Sequence, residues 1–218
     1  MNRRRSAFDV PAAMLLIAAT LAPGAEARTD INFEPASIIG WERHSFNGET
    51  DYTLSQRSAH RGVRAECEEG TASGLIYREG IDLTRTPIIE WRWRIVEPIA
   101  SGAPRDKNGD DYAARLYAVD ESPILRWRTR AMNYVSTTRT AKGDHWPNAY
   151  ADQAMMVAAD GADSDSGWQI HRRNLREDFA RFHDRDITEI DTLAIMTDCD
   201  DTGDRAEAIY GSIRLLGE

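Results

Sequence analysis

The chain has neither a Gly-x-Ser-x-Gly elbow nor a His-Glu-x-x-His helix, so the short signatures of serine hydrolases and zinc peptidases are missing. Its five histidines are scattered, and none stands at the spacing of a zinc-ligand pair. Cysteine is nearly absent, with Cys67 and Cys199 the only two. Two cysteines cannot make a disulfide framework. An oxidising compartment allows them one bridge, and two buried thiols fit the sequence equally well. A bridge would close a long loop and stabilise the fold by about 2–4 kcal/mol. Positive charge is also short, with 27 basic side chains against 36 acidic ones and a net charge of −9. That balance argues against nucleic acid and against anionic lipid headgroups as partners. Past residue 27 no stretch is apolar enough for a membrane-spanning helix of about 20 residues. Internal repeats, low-complexity tracts and a second domain are not evident.

The first 27 residues have their own pattern. Arg3, Arg4 and Arg5 precede an apolar run over residues 12–22, then Pro23-Gly24 and the small-x-small end Ala25-Glu26-Ala27. This reads as a secretory signal peptide cleaved before Arg28, with an apolar run too short for an anchor. The expected address is the periplasm or the exterior. The pair Arg4-Arg5 suits a twin-arginine signal, but Ser6-Ala7-Phe8 after it does not, which favours the general secretory route. Cleavage removes three arginines and two carboxylates and leaves a net charge of −10. Residues 28–218 then form a single domain long enough to bury its own core.

Nearly every apolar segment of that domain has period two. In Ile88-Ile89-Glu90-Trp91-Arg92-Trp93-Arg94-Ile95, Ile89, Trp91, Trp93 and Ile95 share one face and Glu90, Arg92 and Arg94 the other. Val63, Ala65 and Cys67 alternate with Arg64 and Glu66 in the same way. Asn47-Gly48, between Trp41 to Phe46 and Asp51 to Leu54, predicts a hairpin. Asn174 and Glu177 predict the capped start of one helix, with Leu175, Phe179 and Phe182 on its inner face. Many short strands separated by turns, with a single helix, predict an all-β sandwich. The longest loops, Glu97 to Asp111 and Thr137 to Gln153, are where function is expected.

Several segments also resemble a known bacterial family, DUF3047. They are Gly40-Trp41-Glu42, Ala72-Ser73-Gly74-Leu75, Ile81-Asp82-Leu83 with Thr86-Pro87, and Trp91-Arg92-Trp93-Arg94. The resemblance continues through Asn108 to Arg115, Asn133-Tyr134-Val135, Trp146-Pro147-Asn148, Thr197-Asp198 to Thr202-Gly203, and Tyr210-Gly211. It covers nearly the whole domain. It implies an antiparallel, jelly-roll-like β-sandwich of the galactose-binding type and brings no activity with it. The family pattern has small hydroxyl residues near Cys67 and Cys199. This chain departs from it at both positions, which favours a bridge between them.

Three constellations can carry chemistry. Arg92 and Arg94 on one strand face, Arg115 on a neighbouring strand, and Arg126, Arg128 and Arg130 further on offer guanidinium forks for carboxylate or phosphate. With Trp127, Asn133, Tyr134, His145, Trp146 and Asn148, they make a ligand-binding set suited to an acidic sugar. The same arginines also fit a ladder of ion pairs to Glu90, Asp110 and Asp111, which a net-acidic chain favours. Asp198, Asp200, Thr202 and Asp204, with Gly203 between the last two, match the first half of a calcium loop. The closing bidentate carboxylate is missing, because Ile209 stands at its position, and a plain Asp- and Gly-rich turn is the simpler reading. Otherwise no cofactor is expected. Third, Asp110, Asp111 or Asp198 with His145 or His171 would supply acid and base groups, provided they meet in a cleft. The leading expectation is a non-catalytic binding module for a saccharide or envelope polymer. The alternatives are a polysaccharide hydrolase or lyase and a structural envelope protein that works through a protein partner.

Overall fold

A computed structural model describes residues 30–218, apart from residues 57–60, 123, 163 and 165–166. The signal peptide expected over residues 1–27, with its expected cleavage point, lies outside the described residues. Two sheets face each other. The first orders its strands β12 (Gln169–Asn174), β7 (Ile88–Glu97), β15 (Ala206–Leu216), β4 (Gly62–Cys67) and β3 (Asp51–Ser55), with β1 (Ile31–Phe33) also paired to β15. The second runs β10 (His145–Pro147), β11 (Ala154–Ala158), β9 (Arg130–Val135), β8 (Arg115–Asp120), β14 (Thr192–Asp198), β5 (Ala72–Tyr77) and β2 (Glu42–Asn47). A small pair, β6 (Ile81–Asp82) with β13 (Glu189–Ile190), lies apart from both. Among the described residues pairing is antiparallel except between β9 and β11, which run parallel. The fold is a jelly-roll-like β-sandwich.

The alternation read from the sequence sets which face is buried. Ile89, Trp91 and Trp93 of β7, Val63 and Ala65 of β4, and Tyr210, Ile213 and Leu215 of β15 turn inward. Leu75, Leu116, Tyr134, Leu193 and Ile195 meet them from the other sheet. Trp91 is edge-on to Trp93 at 5.7 Å and packs against Tyr134 at 5.0 Å, so these rings bridge the two layers. Burying a large side chain of this kind contributes about 2–3 kcal/mol.

The predicted helix is α2 (Leu175–His183), which follows α1 (Pro35–Ile38), a single turn opened by a proline. The Asn174 side chain accepts from Glu177 N at 3.2 Å, Leu175 and Phe179 are buried, and Phe182 is partly so. Among the described residues no helix is long and apolar enough to cross a membrane.

The hairpin expected at Asn47-Gly48 does not form, because β2 pairs with β5 in one sheet and β3 with β4 in the other. The chain crosses the sandwich there. Gly48 takes φ +63°, and buried Thr50 is fixed by Ser73 Oγ at 2.9 Å and the Thr197 carbonyl at 2.8 Å. Those two interior bonds hold the chain at a corner rather than in a tight turn.

Cys67 and Cys199 form a disulfide across 132 residues of sequence. The bridge ties the end of β4 to the loop that follows β14.

Candidate functional site

The face of the second sheet turned away from the core carries a cleft of about 480 Å³. Period two puts it there. Where Leu116, Leu193 and Leu75 point inward, Arg115 and Tyr117, Ala194 and Met196, and Ala72 and Gly74 point outward and line it. The floor is low because its central residues are small. At Gly74 a Cβ would lie 2.8 Å from the Ile195 carbonyl oxygen, so no side chain fits. Two aromatic rings stand at its sides, Phe46 from the β2 edge and Tyr150 from the loop between β10 and β11. They are 65% and 56% exposed, far more than rings that serve only packing.

The polar end of the cleft is built around Arg115, which is only 3% exposed. Its guanidinium forks onto Asp198, with Nε donating to Oδ1 at 2.9 Å and a second bond to Oδ2. It also donates to the Asp110 carbonyl and to Tyr117 Oη at 3.2 Å. The Asp110 carboxylate lies 3.7 Å away and accepts from Asn148 Nδ2 at 2.7 Å. Burial raises the pKa values of Asp110 and Asp198, the latter to about 7, against the opposing pull of Arg115. The hydrogen bond from Tyr150 to Asp201 pushes the phenol up to about 12. Two acceptors in the cleft residues have no partner among the described residues, Asp110 Oδ1 and Asn133 Oδ1. An unmet buried acceptor costs about 1–3 kcal/mol.

The loop after β14 closes the same end. Buried Asp111 accepts from the backbone of Asp201 and Thr202 and from Thr202 Oγ1 at 2.7 Å. The oxygens expected to converge as a calcium loop are each spent elsewhere. Asp198 is held by Arg115, Thr202 Oγ1 by Asp111, and Asp200 by Asn47 at 3.4 Å. Asp204 accepts from Ala100 N at 3.1 Å and Ser101 N at 2.8 Å. Each of these side chains thus answers a different partner. One oxygen each from Asp111, Asp200 and Asp201 does come together, within 4.8 Å of one another.

The residues expected to bind a ligand divide between the layers. Arg115, Asn133 and Asn148 meet in the cleft. Arg92 and Arg94 lie on the outer face of the other sheet, Arg92 stacked 4.8 Å from the Trp168 ring. Tyr134 is in the core, donating to Asp178 at 2.6 Å. Trp146 is buried in a cluster with Tyr112 and Met156. Trp127 is exposed in the short helical turn Arg126–Arg128, and His145 rests on Phe182 at 4.9 Å. The Arg126 side chain lies outside the described residues. Neither histidine meets Asp110 or Asp198, since His171 is buried between Trp91 and Trp93, 3.3 Å from Asp160.

Phe46, Tyr117 and Tyr150 were not expected in the site. Tyr150 falls in one of the two loops marked by their length. Phe46 gave no signal, because the hairpin reading assigned it an ordinary strand position.

Fold and cleft together define a β-sandwich with a ligand-sized trough across one sheet. The chain belongs to the DUF3047 family, described as a protein of unknown function, whose pattern matches residues 39–214. No curated protein matches it. Among solved structures it is similar to the family 11 carbohydrate-binding module of Clostridium thermocellum in complex with a β-1,3-1,4-mixed-linked tetrasaccharide. Identity there is 11% and the TM-score 0.46, over 86% of this chain and 95% of that one. It is also similar to the xyloglucanase domain of NopAA from Sinorhizobium fredii, at 6% identity and TM-score 0.45, over 81% and 92%. A third is the glycoside hydrolase domain of Endo-D from Streptococcus pneumoniae, at 8% identity and TM-score 0.43. There the match takes in 80% of this chain and 21% of that one.

Proposed function

We propose that the protein is a non-catalytic binding module of the cell envelope, which holds a saccharide chain in the cleft of the second sheet. The observation that carries this reading is the cleft's make-up. A floor of small side chains lies between the exposed rings of Phe46 and Tyr150, with Arg115, Asp110, Asn133 and Asn148 as the polar groups. Flat rings fit the apolar faces of a sugar, and a few fixed polar groups read its hydroxyls. The leader pattern supports an address outside the cytoplasm, in the periplasm or beyond, where envelope polymers are met.

Retention of the protein in gels containing neutral, amino and acidic polysaccharides tests the reading. At least one polymer is expected to retard it. Phe46→Ala with Tyr150→Ala is expected to abolish that retardation and leave the unfolding transition in place. Arg92→Ala with Arg94→Ala, on the opposite sheet, is expected to leave it unchanged. Passage through every gel at the same mobility, or loss of retardation only in the Arg92 and Arg94 variant, overturns the proposal.

A further inference from the structure

The cleft has an imbalance of hydrogen-bonding groups. Most of its donors are already used within the protein, and Tyr117 Oη has only Met196 Sδ at 3.7 Å to donate to. Arg115 is spent on Asp198, Asp110 and Tyr117, Asn148 on Asp110, Tyr150 on Asp201, and Thr192 on Glu121. Its acceptors are not. Asp110 Oδ1 and Asn133 Oδ1 belong to side chains at least nine-tenths buried, and both lack a partner among the described residues. The Asn133 amide nitrogen faces Met156 Sδ at 3.2 Å, which leaves its buried oxygen as the unpartnered atom. Charge points the same way. Among the described lining residues Asp198 is taken up by the one cation, Arg115, which leaves Asp110, Asp200 and Asp201 as the carboxylates that set the charge.

A ligand entering here has to bring donors and, best of all, positive charge. A uronate or a phosphate would meet carboxylates, and a further cation, Lys107, lies over the Tyr150 ring at 5.0 Å rather than in the lining. Neutral hydroxyls answer unpartnered acceptors in part, and an ammonium answers both the acceptors and the charge. We infer that the cleft selects saccharides bearing free amines, such as a de-N-acetylated hexosamine chain, over neutral and acidic ones. This rests on the cleft being a saccharide site and names its ligand class.

The test is titration calorimetry with four probes at mildly acidic pH, where a sugar amine is protonated. They are a glucosamine oligomer, its N-acetylated counterpart, a cello-oligomer and a galacturonate oligomer of equal length. The glucosamine oligomer is expected to bind about tenfold tighter than the cello-oligomer, the factor one charge-assisted hydrogen bond supplies. The galacturonate oligomer is expected to bind weakest. The preference is expected to shrink as salt is raised, and Asp200→Asn with Asp201→Asn is expected to bring the ratio toward one. Equal binding of the glucosamine, N-acetylated and cello-oligomers overturns the inference and leaves the saccharide site standing. Tightest binding of the galacturonate oligomer overturns it as well. Binding of none of the four removes both.

Discussion

Replacing both cysteines, Cys67→Ala with Cys199→Ala, perturbs stability and the cleft together. The bridge spans 132 residues, and closing a loop of that length restricts the unfolded chain by about 5 kcal/mol. Residual structure in the unfolded chain reduces the realised gain, so about 2–4 kcal/mol is expected to be lost. For a domain of this size that is a fall of about 10 °C in Tm. The assay is urea unfolding of the oxidised protein and the variant. The midpoint is expected to fall and the m-value to rise, because the unlinked chain exposes more surface when unfolded. The second effect is local. Cys199 directly precedes Asp200 and Asp201, and its backbone N–H donates to the Thr71 carbonyl at 2.9 Å. Loosening that end of the cleft is expected to weaken saccharide binding as well. Equal midpoints and equal m-values, with disulfide formation in the wild type confirmed by mass, would refute the reasoning.

Two further perturbations test the interior. Arg115→Lys keeps the charge but loses the fork onto Asp198 and the bonds to Asp110 and Tyr117, and is expected to cost about 2–4 kcal/mol in urea unfolding. A loss below about 1 kcal/mol would mean the fork contributes little. His171 is 5% exposed, and burial, with Lys142 nearby, lowers its pKa to about 3. Its stabilising contribution is fully present above the ordinary histidine pKa of about 6.5 and is lost as pH falls toward 3. About 3–5 kcal/mol is expected to vanish across the window. His171→Phe is expected to flatten the slope of stability against pH there, and an unchanged slope would assign it to other groups.

The sandwich was legible because period-two alternation is a local signal that reports a global fact. Trp91 and Trp93 face the core for the reason that Arg92 and Arg94 do not. The helix cap was legible for the same reason, since Asn174 and Glu177 act within one turn. The site was less so. Alternation says which residues share a face, but not which strands become neighbours. Arg94 and Arg115 both stand on outward faces, yet they belong to different sheets. The corner at Asn47-Gly48 shows the same limit. Its turn signal is local, while the interior bonds of Thr50 to Ser73 and Thr197 that direct the chain across the sandwich come from residues 23 and 147 positions away.

The acidic loop draws its partners from distant parts of the fold. Its carboxylates are spaced along the chain as calcium ligands are, and a buried arginine, an asparagine and two backbone amides from elsewhere each bond one of them. What remains is a loop fixed at three points: the disulfide at Cys199, the Asp111 carboxylate beneath Asp201 and Thr202, and Tyr150 on Asp201. A loop held so firmly can present Asp200 and Asp201 to the cleft without ordering them when a ligand arrives. Preorganisation of that kind lowers the entropy cost of binding. On this reading the bridge and the Asp111 clamp act on affinity through the loop, and the carboxylates they hold set which saccharide is preferred.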